Sequence, residues 1–260
     1  YLRDARTGYR MGDGKLIDGM IADGLWDPYG NFHMGEAGEK CSKEYSLSRE
    51  AQDEFARESY RRALSAQKEG LFEAEIAAVE IAQKKGDPLK VSADEEPGKG
   101  DPSKFDKLRP AFAKDGTITA ANASSINDGA SALVLASEKA VKEQNLTPIA
   151  RIVGYGGAAQ APDWFTTAPS KAIDATLTKL GMKKEQIDLW EINEAFSCVT
   201  MACSKISGLD PAKVNVRGGA VALGHPIGAS GARILTTLLF AMRDHKVSRG
   251  LATLCIGGGE

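Results

Sequence analysis

The sequence predicts a layered α/β fold that follows a helical, loop-rich first part. Residues 1 to about 126 carry helical patterns and few strand signals, whereas short β-type runs alternate with helical segments from about residue 127 onward. A stretch rich in glycine, proline, lysine and aspartate, at 86–110, lies near the end of the first part. Alternating strands and helices favour a sheet covered by helices, here with mixed strand directions.

In the first part, one helix is clearly marked. Ser48 is a suitable N-cap, and the helical pattern that follows it ends near Gly70. We predict a second helical stretch at 72–84 and a solvated loop at 86–110.

In the second part of the chain, predicted helices and strands alternate regularly. The predicted helices are 137–145, 170–180, 195–207 and 230–243. The predicted strands are 132–136, 149–154, 187–192, 214–216 and 251–256. A glycine-rich turn at 218–231 precedes the last helix.

Composition excludes several classes of protein. Of the 260 residues, 42% are hydrophobic and 26% are charged, which is typical of a soluble globular protein. The net charge of −2 does not favour nucleic acid or an acidic membrane as a partner. Four cysteines are too few for a disulfide scaffold, so we expect a reducing compartment. The three histidines lack the spacing of metal ligands, and we predict no metal site.

Three short segments carry groups suited to acyl chemistry, and each follows a predicted strand or turn. They are 193–196, 224–226 and 255–259, which contain Asn193, His225, Cys255 and Gly257. Ligands of open α/β sheets bind at the carboxyl ends of strands, where these side chains are expected to meet. A thiol serves as a nucleophile or base, and amide, imidazole and backbone N–H groups stabilise an oxyanion.

Each of these residues also has a purely structural interpretation. Asn193 suits the cap of the helix predicted from Ala195, and a lone Cys255 fits a buried core thiol. His225 stands before a proline in a glycine-rich turn, where core packing does not require an imidazole.

The glycine-rich turn does not predict nucleotide binding. Gly219 and Gly224 have the P-loop spacing, but His225 and Pro226 occupy the positions of the lysine and the hydroxyl residue. A hydrolase elbow around Ser230 is also absent, because Ala232 takes the place of its final glycine.

Taken together, the segments closely resemble the thiolase family, and most of all its acetyl-CoA acetyltransferase branch. The resemblance rests on 193–196, 218–231 and 255–259. It extends through 33–35, 48–55, 107–110, 122–124 and 127–130, so that it covers the whole chain.

The resemblance implies a five-layered α-β-α-β-α fold of two similar halves with an inserted loop domain. Residues 1–126 would be the loop domain over coenzyme A, 127–149 the tail of the N-terminal half, and 150–260 the C-terminal half without its last strand. The nucleophilic cysteine of the family would precede Tyr1, since none of the four cysteines here has its sequence context. We therefore expect a longer natural chain, and expect these 260 residues alone to be inactive.

The implied reaction is the Claisen condensation of two acetyl-CoA molecules to acetoacetyl-CoA and coenzyme A, and its reversal by thiolysis. Cys255 would act as the base. His225, and Asn193 through a water molecule, would stabilise the thioester enolate. The N–H of Gly257 would belong to the second oxyanion hole.

Coenzyme A would be a substrate, with no tightly bound cofactor. The resemblance implies contacts from Leu25, His33, Met34, Phe112, Ser124, Ala195, Phe196 and Ile227. Phe165 would line the acyl pocket and favour short chains. Lys99, Lys104 and Lys107 suit either the nucleotide phosphates or an ordinary solvated loop.

Two other functions remain open from the sequence. One is a degradative 3-ketoacyl-CoA thiolase of broad chain length, and the other is a non-catalytic coenzyme A-binding fragment. The resemblance also implies a homotetramer built as a dimer of dimers, with contacts near 11–24, or else a homodimer. We expect a cytoplasmic protein, with the mitochondrial matrix as the alternative, and no nucleic acid or membrane partner.

Overall fold

The computed structural model describes residues 1–260. Its helices are α1 Met34–Glu44, α2 Arg49–Lys68, α3 Glu96–Lys99, α4 Glu138–Glu143, α5 Ala168–Leu180, α6 Ser197–Ser207, α7 Ala220–Leu223 and α8 Ser230–His245. The strands are β1 Trp26–Asp27, β2 Phe32–His33, β3 Val79–Ile81, β4 Leu89–Val91, β5 Leu189–Ile192 and β6 Gly250–Thr253. A π-helical turn spans Ile21–Leu25, and 3₁₀ turns span Pro102–Lys107, Pro162–Thr167, Lys184–Gln186 and Pro211–Lys213.

Strands β5 and β6 form the centre of an α-β-α sandwich. They are parallel neighbours, and Ile192 pairs with Thr253 at their carboxyl ends. Side chains alternate between the faces of a strand. Leu189 accordingly packs with Leu238 of α8, whereas Trp190 and Ile192 join the larger core that contains residues of α5 and α6. The predicted α/β layering is therefore present in this part of the chain.

Helix α2 begins where the sequence predicts. The Ser48 hydroxyl accepts a hydrogen bond from the backbone N–H of Ala51 at 3.2 Å. The cap satisfies one of the N–H groups that the first turn leaves without a helical partner. Ala56 and Ala63 are fully buried, and this face of the helix packs against α7.

Two predicted strands, 132–136 and 149–154, are wrong for this structure. Both segments are irregular, and their apolar side chains are exposed, for example Val134 at 93% and Leu135 at 75%. A strand exists only when another strand satisfies its backbone N–H and C=O groups, and no strand lies beside these segments. Their β-type composition alone could not supply that partner.

The helix predicted at 72–84 is also wrong. Residues Val79–Ile81 form β3, which pairs with β4 in an antiparallel hairpin. Val79 and Ile81 flank Glu80, so the side chains alternate with the two-residue period of a strand. The predicted strand at 214–216 is reduced to single bridges, one of which joins Val214 to Trp190 of β5.

No helix combines the length and the apolar character needed to cross a bilayer. All four cysteines are buried, free thiols.

Candidate functional site

The parallel pairing of β5 and β6 brings Asn193 and Cys255 to the same edge of the sheet. The backbone N–H of Asn193 donates to the carbonyl of Thr253 at 3.0 Å, and Cys255 follows two residues later. Cys255 is buried in the core that also contains Met34. Gly257 lies against the same methionine, because a β-carbon there would be 3.0 Å from Met34 Cε. The amide, the thiol and the glycine turn thus share one location.

His225 reaches this location from the turn that follows α7. Its Nε2 lies 3.3 Å from Asn193 Nδ2. The preceding Gly224 has a φ of 89°, and a β-carbon there would collide with the side chain of Asn127. The N–H of His225 donates to the carbonyl of Ser125 at 3.0 Å. Only glycine therefore suits the turn that directs the imidazole towards Asn193.

The structure excludes the interpretation of Asn193 as a helix cap. Helix α6 begins at Ser197 with Phe196 at its N-cap position, and no side chain caps it. Asn193 is 1% exposed, and its Oδ1 has no hydrogen-bond partner. A buried amide without a capping role is available for a ligand or for His225.

Ser230, the first residue of α8, fixes the other side of the imidazole. Its hydroxyl oxygen lies 2.5 Å from His225 Nδ1 and 3.0 Å from the carbonyl of Pro226. If the Ser230 hydroxyl donates to Nδ1, the proton of the His225 ring is on Nε2. The Asn193 side-chain amide, with its oxygen and nitrogen positions exchanged, then accepts a hydrogen bond from Nε2–H through Oδ1. If it donates to Pro226 instead, Asn193 Oδ1 stays buried and unpaired. We infer the first arrangement, because buried polar atoms are nearly always paired.

Burial determines the protonation states of His225 and Cys255. Burial, followed by the positive charge of Arg233, lowers the pKa of His225 to about 4. Burial raises the pKa of the Cys255 thiol to about 12. At neutral pH the site therefore contains a neutral imidazole and a protonated thiol. No group of three or more His, Cys, Asp and Glu side chains is arranged to hold a metal ion.

Glu194, to which the sequence analysis assigns no role, is a buried neighbour of Asn193. It is 1% exposed, and its carboxyl group accepts from the Ser59 hydroxyl at 2.7 Å, Asn215 Nδ2 at 2.9 Å and the Val221 N–H at 3.1 Å. Burial raises the pKa of Glu194. The carboxyl group joins α2 and α7 to the end of β5, which places Asn193.

Replacing Glu194 with glutamine is expected to lower the free energy of unfolding by about 1–3 kcal/mol, because the amide leaves part of this donor set unsatisfied. Urea unfolding followed by circular dichroism measures the change. Glu185→Gln on an exposed turn is the matched control. Equal stability of the two variants would contradict the role given to Glu194.

The residues expected to contact coenzyme A fall into two groups. His33 stacks on Phe112 with ring centroids 4.8 Å apart, and Phe112 meets Phe196 edge-on at 6.1 Å. The Ser124 hydroxyl donates to the carbonyl of Ala195 at 2.8 Å. These residues, with Met34 in the adjoining core, lie together.

The remaining predicted residues do not form a single group. Phe165 is buried in the same core as Cys255. Ile227 is exposed and lies next to Gly24, the residue before Leu25. Lys99 and Lys104 form ion pairs with acidic neighbours of their own segments, at 2.7 Å to Glu96 and 2.8 Å to Asp101. Lys107 forms no ion pair of this kind.

Sequence reasoning also missed Ser230 as a partner of His225. A signal was present, since Ser230 starts a predicted helix five residues after the histidine.

A layered α/β fold with an amide, an imidazole and a thiol at adjacent strand ends defines a site suited to acyl chemistry. Two family models match the chain, the thiolase N-terminal domain over residues 1–139 and the thiolase C-terminal domain over 146–260. The chain belongs to the thiolase family.

Similar proteins cover all of this chain. Acetyl-CoA acetyltransferase 1 of Arabidopsis thaliana is 50% identical over 261 aligned residues. The crystal structure of the Bacillus anthracis acetyl-CoA acetyltransferase superposes with a TM-score of 0.95 at 41% identity. The Acat5 thiolase from Ascaris suum, in complex with coenzyme A, gives a TM-score of 0.89 at 43% identity.

The chain spans 63% of the length of the Arabidopsis relative and 66% of each of the two solved chains. These 260 residues have the thiolase fold.

Proposed function

We propose that this protein is an acetyl-CoA acetyltransferase, which condenses two acetyl-CoA molecules to acetoacetyl-CoA and coenzyme A and catalyses the reverse thiolysis. The observation that carries the proposal is the convergence of Asn193, His225 and Cys255 at the ends of β5 and β6. The acetyl-CoA acetyltransferases at 50% and 41% identity support it.

The protonation states suggest the order of steps. In the first half-reaction, a nucleophilic thiolate takes the acetyl group and the C–S bond to coenzyme A breaks. The Cys255 thiol, with its raised pKa, gives its proton to the departing coenzyme A thiolate. Cys255 is then itself a thiolate and able to act as a base.

In the second half-reaction, Cys255 removes a proton from the methyl carbon of a second acetyl-CoA. His225 donates its Nε2 proton in a hydrogen bond to the enolate oxygen, and Asn193 completes that environment. The enolate carbon attacks the acetyl thioester, a C–C bond forms, and the bond to the nucleophilic sulfur breaks. The N–H of Gly257 stabilises the oxyanion between these two events.

The nucleophile that carries the acyl group is a different residue from the base Cys255. Cys41, Cys198 and Cys203 are all 0% exposed and pack in the core. Burial also raises the pKa of Cys203. These three buried thiols are therefore not proposed as the nucleophile that carries the acyl group.

Coenzyme A is proposed as the carrier of both acyl groups, and as a substrate rather than a tightly bound cofactor. The coenzyme A complex of the Ascaris suum thiolase supports this. The aromatic cluster of His33, Phe112 and Phe196 supplies the apolar wall that a pantetheine arm requires. Phe165 is buried in the same core as Cys255, which supports its proposed place in the wall of an acyl pocket that favours acetyl groups.

For assembly and location we propose a homotetramer, with a homodimer as the alternative, in the cytoplasm or alternatively the mitochondrial matrix. The exposed apolar side chains of Met11, Leu16 and Met20 support a contact between copies. Four free thiols fit a reducing compartment.

Thiolysis by the intact protein tests the proposed function. We expect rapid cleavage of acetoacetyl-CoA in the presence of coenzyme A and much slower cleavage of a long-chain 3-ketoacyl-CoA, measured by loss of the ketoacyl-CoA absorbance. Comparable rates on both substrates would favour the broad-range degradative thiolase. Coenzyme A binding without turnover would favour the non-catalytic alternative.

A further inference from the structure

A second link between β5 and α8 lies directly behind the pair formed by Asn193 and His225. Glu191 stands two residues before Asn193 in the chain, and side chains two residues apart point to the same face of a strand. Leu189 marks that face as the one covered by α8, because it packs with Leu238. Glu191 is 2% exposed, so its carboxyl group lies between the strand and the helix.

Arg233 approaches the same place from the helix. It lies three residues after Ser230, and residues at that spacing share one face of a helix. Its Nη1 is 3.9 Å from Glu191 Oε2. All three guanidinium nitrogens are buried, and none has a hydrogen-bond partner.

Two separate contacts therefore join β5 to α8. In one, Asn193 of the strand end meets His225, which Ser230 of the helix holds through Nδ1. In the other, Glu191 of the strand meets Arg233 of the helix. A shift of α8 along β5 would therefore change both distances together.

We propose that Arg233 is a positioning residue of this active site, which fixes α8 against β5 and thereby holds His225 in register with Asn193. It does not touch substrate in this scheme and acts through Ser230 and His225.

The electrostatics agree with this geometry. Burial raises the pKa of the Glu191 carboxyl to about 8, an increase that the nearby guanidinium only partly offsets. At neutral pH the contact between Arg233 and Glu191 is therefore mainly one between a charge and a protonated carboxyl group. The uncancelled guanidinium charge also lowers the pKa of His225 further than burial alone. The other charged groups around this pair are Glu75, Asp94, Glu194 and Arg217.

The kinetic part of the test rests on the proposed function, whereas titration of His225 does not depend on turnover. In Arg233→Gln of the intact protein, loss of the positive charge should raise the pKa of His225 above its value of about 4, although burial keeps it below 6.5. NMR of the imidazole carbon signals measures it. The kcat for acetoacetyl-CoA should fall by roughly a hundredfold, as expected for a displaced catalytic group, with KM little changed.

Two further variants make the test decisive. Arg243→Gln on the exposed end of α8 is the matched control and should leave both quantities unchanged. Arg233→Lys keeps the charge, so the pKa of His225 should stay low and kcat should exceed that of Arg233→Gln. If Arg233→Gln fails to fold, Arg233→Lys is compared with the wild type, and a raised His225 pKa in it overturns the proposal.

The proposal is also overturned if Arg233→Gln matches the Arg243→Gln control, or if the glutamine and lysine variants lose kcat equally with no change in the pKa of His225. A wild-type protein without turnover would refute the proposed function, while the titration would still report on the role of Arg233.

Discussion

Replacing His225 with alanine is expected to lower kcat for acetoacetyl-CoA cleavage by about a hundred- to a thousandfold, the usual loss when one oxyanion donor is removed. The imidazole is neutral, since burial lowers its pKa to about 4, and its Nε2 lies beside the amide of Asn193. Alanine provides no donor at that position. Steady-state thiolysis kinetics of the intact protein measure the change.

His245→Ala is the matched control, because that histidine is exposed at the end of α8. It should retain wild-type rates, and near-normal turnover by His225→Ala would contradict the assignment. The pH profile provides a second check. The pKa of His225 is lowered, so its protonation reduces activity only as the pH falls towards about 4, and not near 6.5.

Replacing Cys255 with serine is expected to reduce turnover by about a hundred- to ten-thousandfold, the range attributed to general acid–base catalysis. A serine hydroxyl ionises far less readily than a thiol, so it neither gives its proton to coenzyme A nor becomes the base for the second acetyl-CoA. Both half-reactions should slow. Exchange of the acetyl-CoA methyl protons with deuterated water, followed by mass spectrometry, isolates the second step.

Cys203→Ser is the control for this exchange of sulfur for oxygen in a buried setting. The Cys203 thiol donates to the carbonyl of Thr166 at 3.4 Å, a bond that serine can also make. We expect this variant to retain most of its activity. Rapid methyl-proton exchange by Cys255→Ser would mean that another group is the base.

The sequence predicts the main helices of this fold better than it predicts the strands. Helices α2, α5, α6 and α8 have local signals, namely apolar periodicity, the Ser48 cap of α2 and Gly181 at the end of α5, and the structure confirms these helices. The strands predicted at 132–136 and 149–154 do not form, because a strand needs a partner elsewhere in the chain and no local pattern reveals whether one is present. The sequence does not predict the hairpin of β3 and β4, because the short apolar run around β3 is compatible with the period of a helix and with the period of a strand.

Within the site, motifs located Asn193, His225 and Cys255, but they could not locate the groups that hold them. Ser230 and Arg233 act through the face of α8 that turns towards β5, and that orientation depends on how the helix packs. Glu194 is buried by helices from both parts of the chain. Such roles come from tertiary contacts, so they become visible only when the fold is known.

The parallel pairing of β5 with β6 also determines when the site forms as the chain folds. Asn193 and Thr253 meet at 3.0 Å, although 59 residues lie between them in the sequence. Parallel neighbours need a long crossover, and closing it delays their contact relative to the formation of local helices. Asn193 and His225 belong to segments that precede β6 in the chain, whereas Cys255 follows β6. Docking of β6 is therefore the step that brings Cys255 to the candidate site, and it comes late because it closes a long loop.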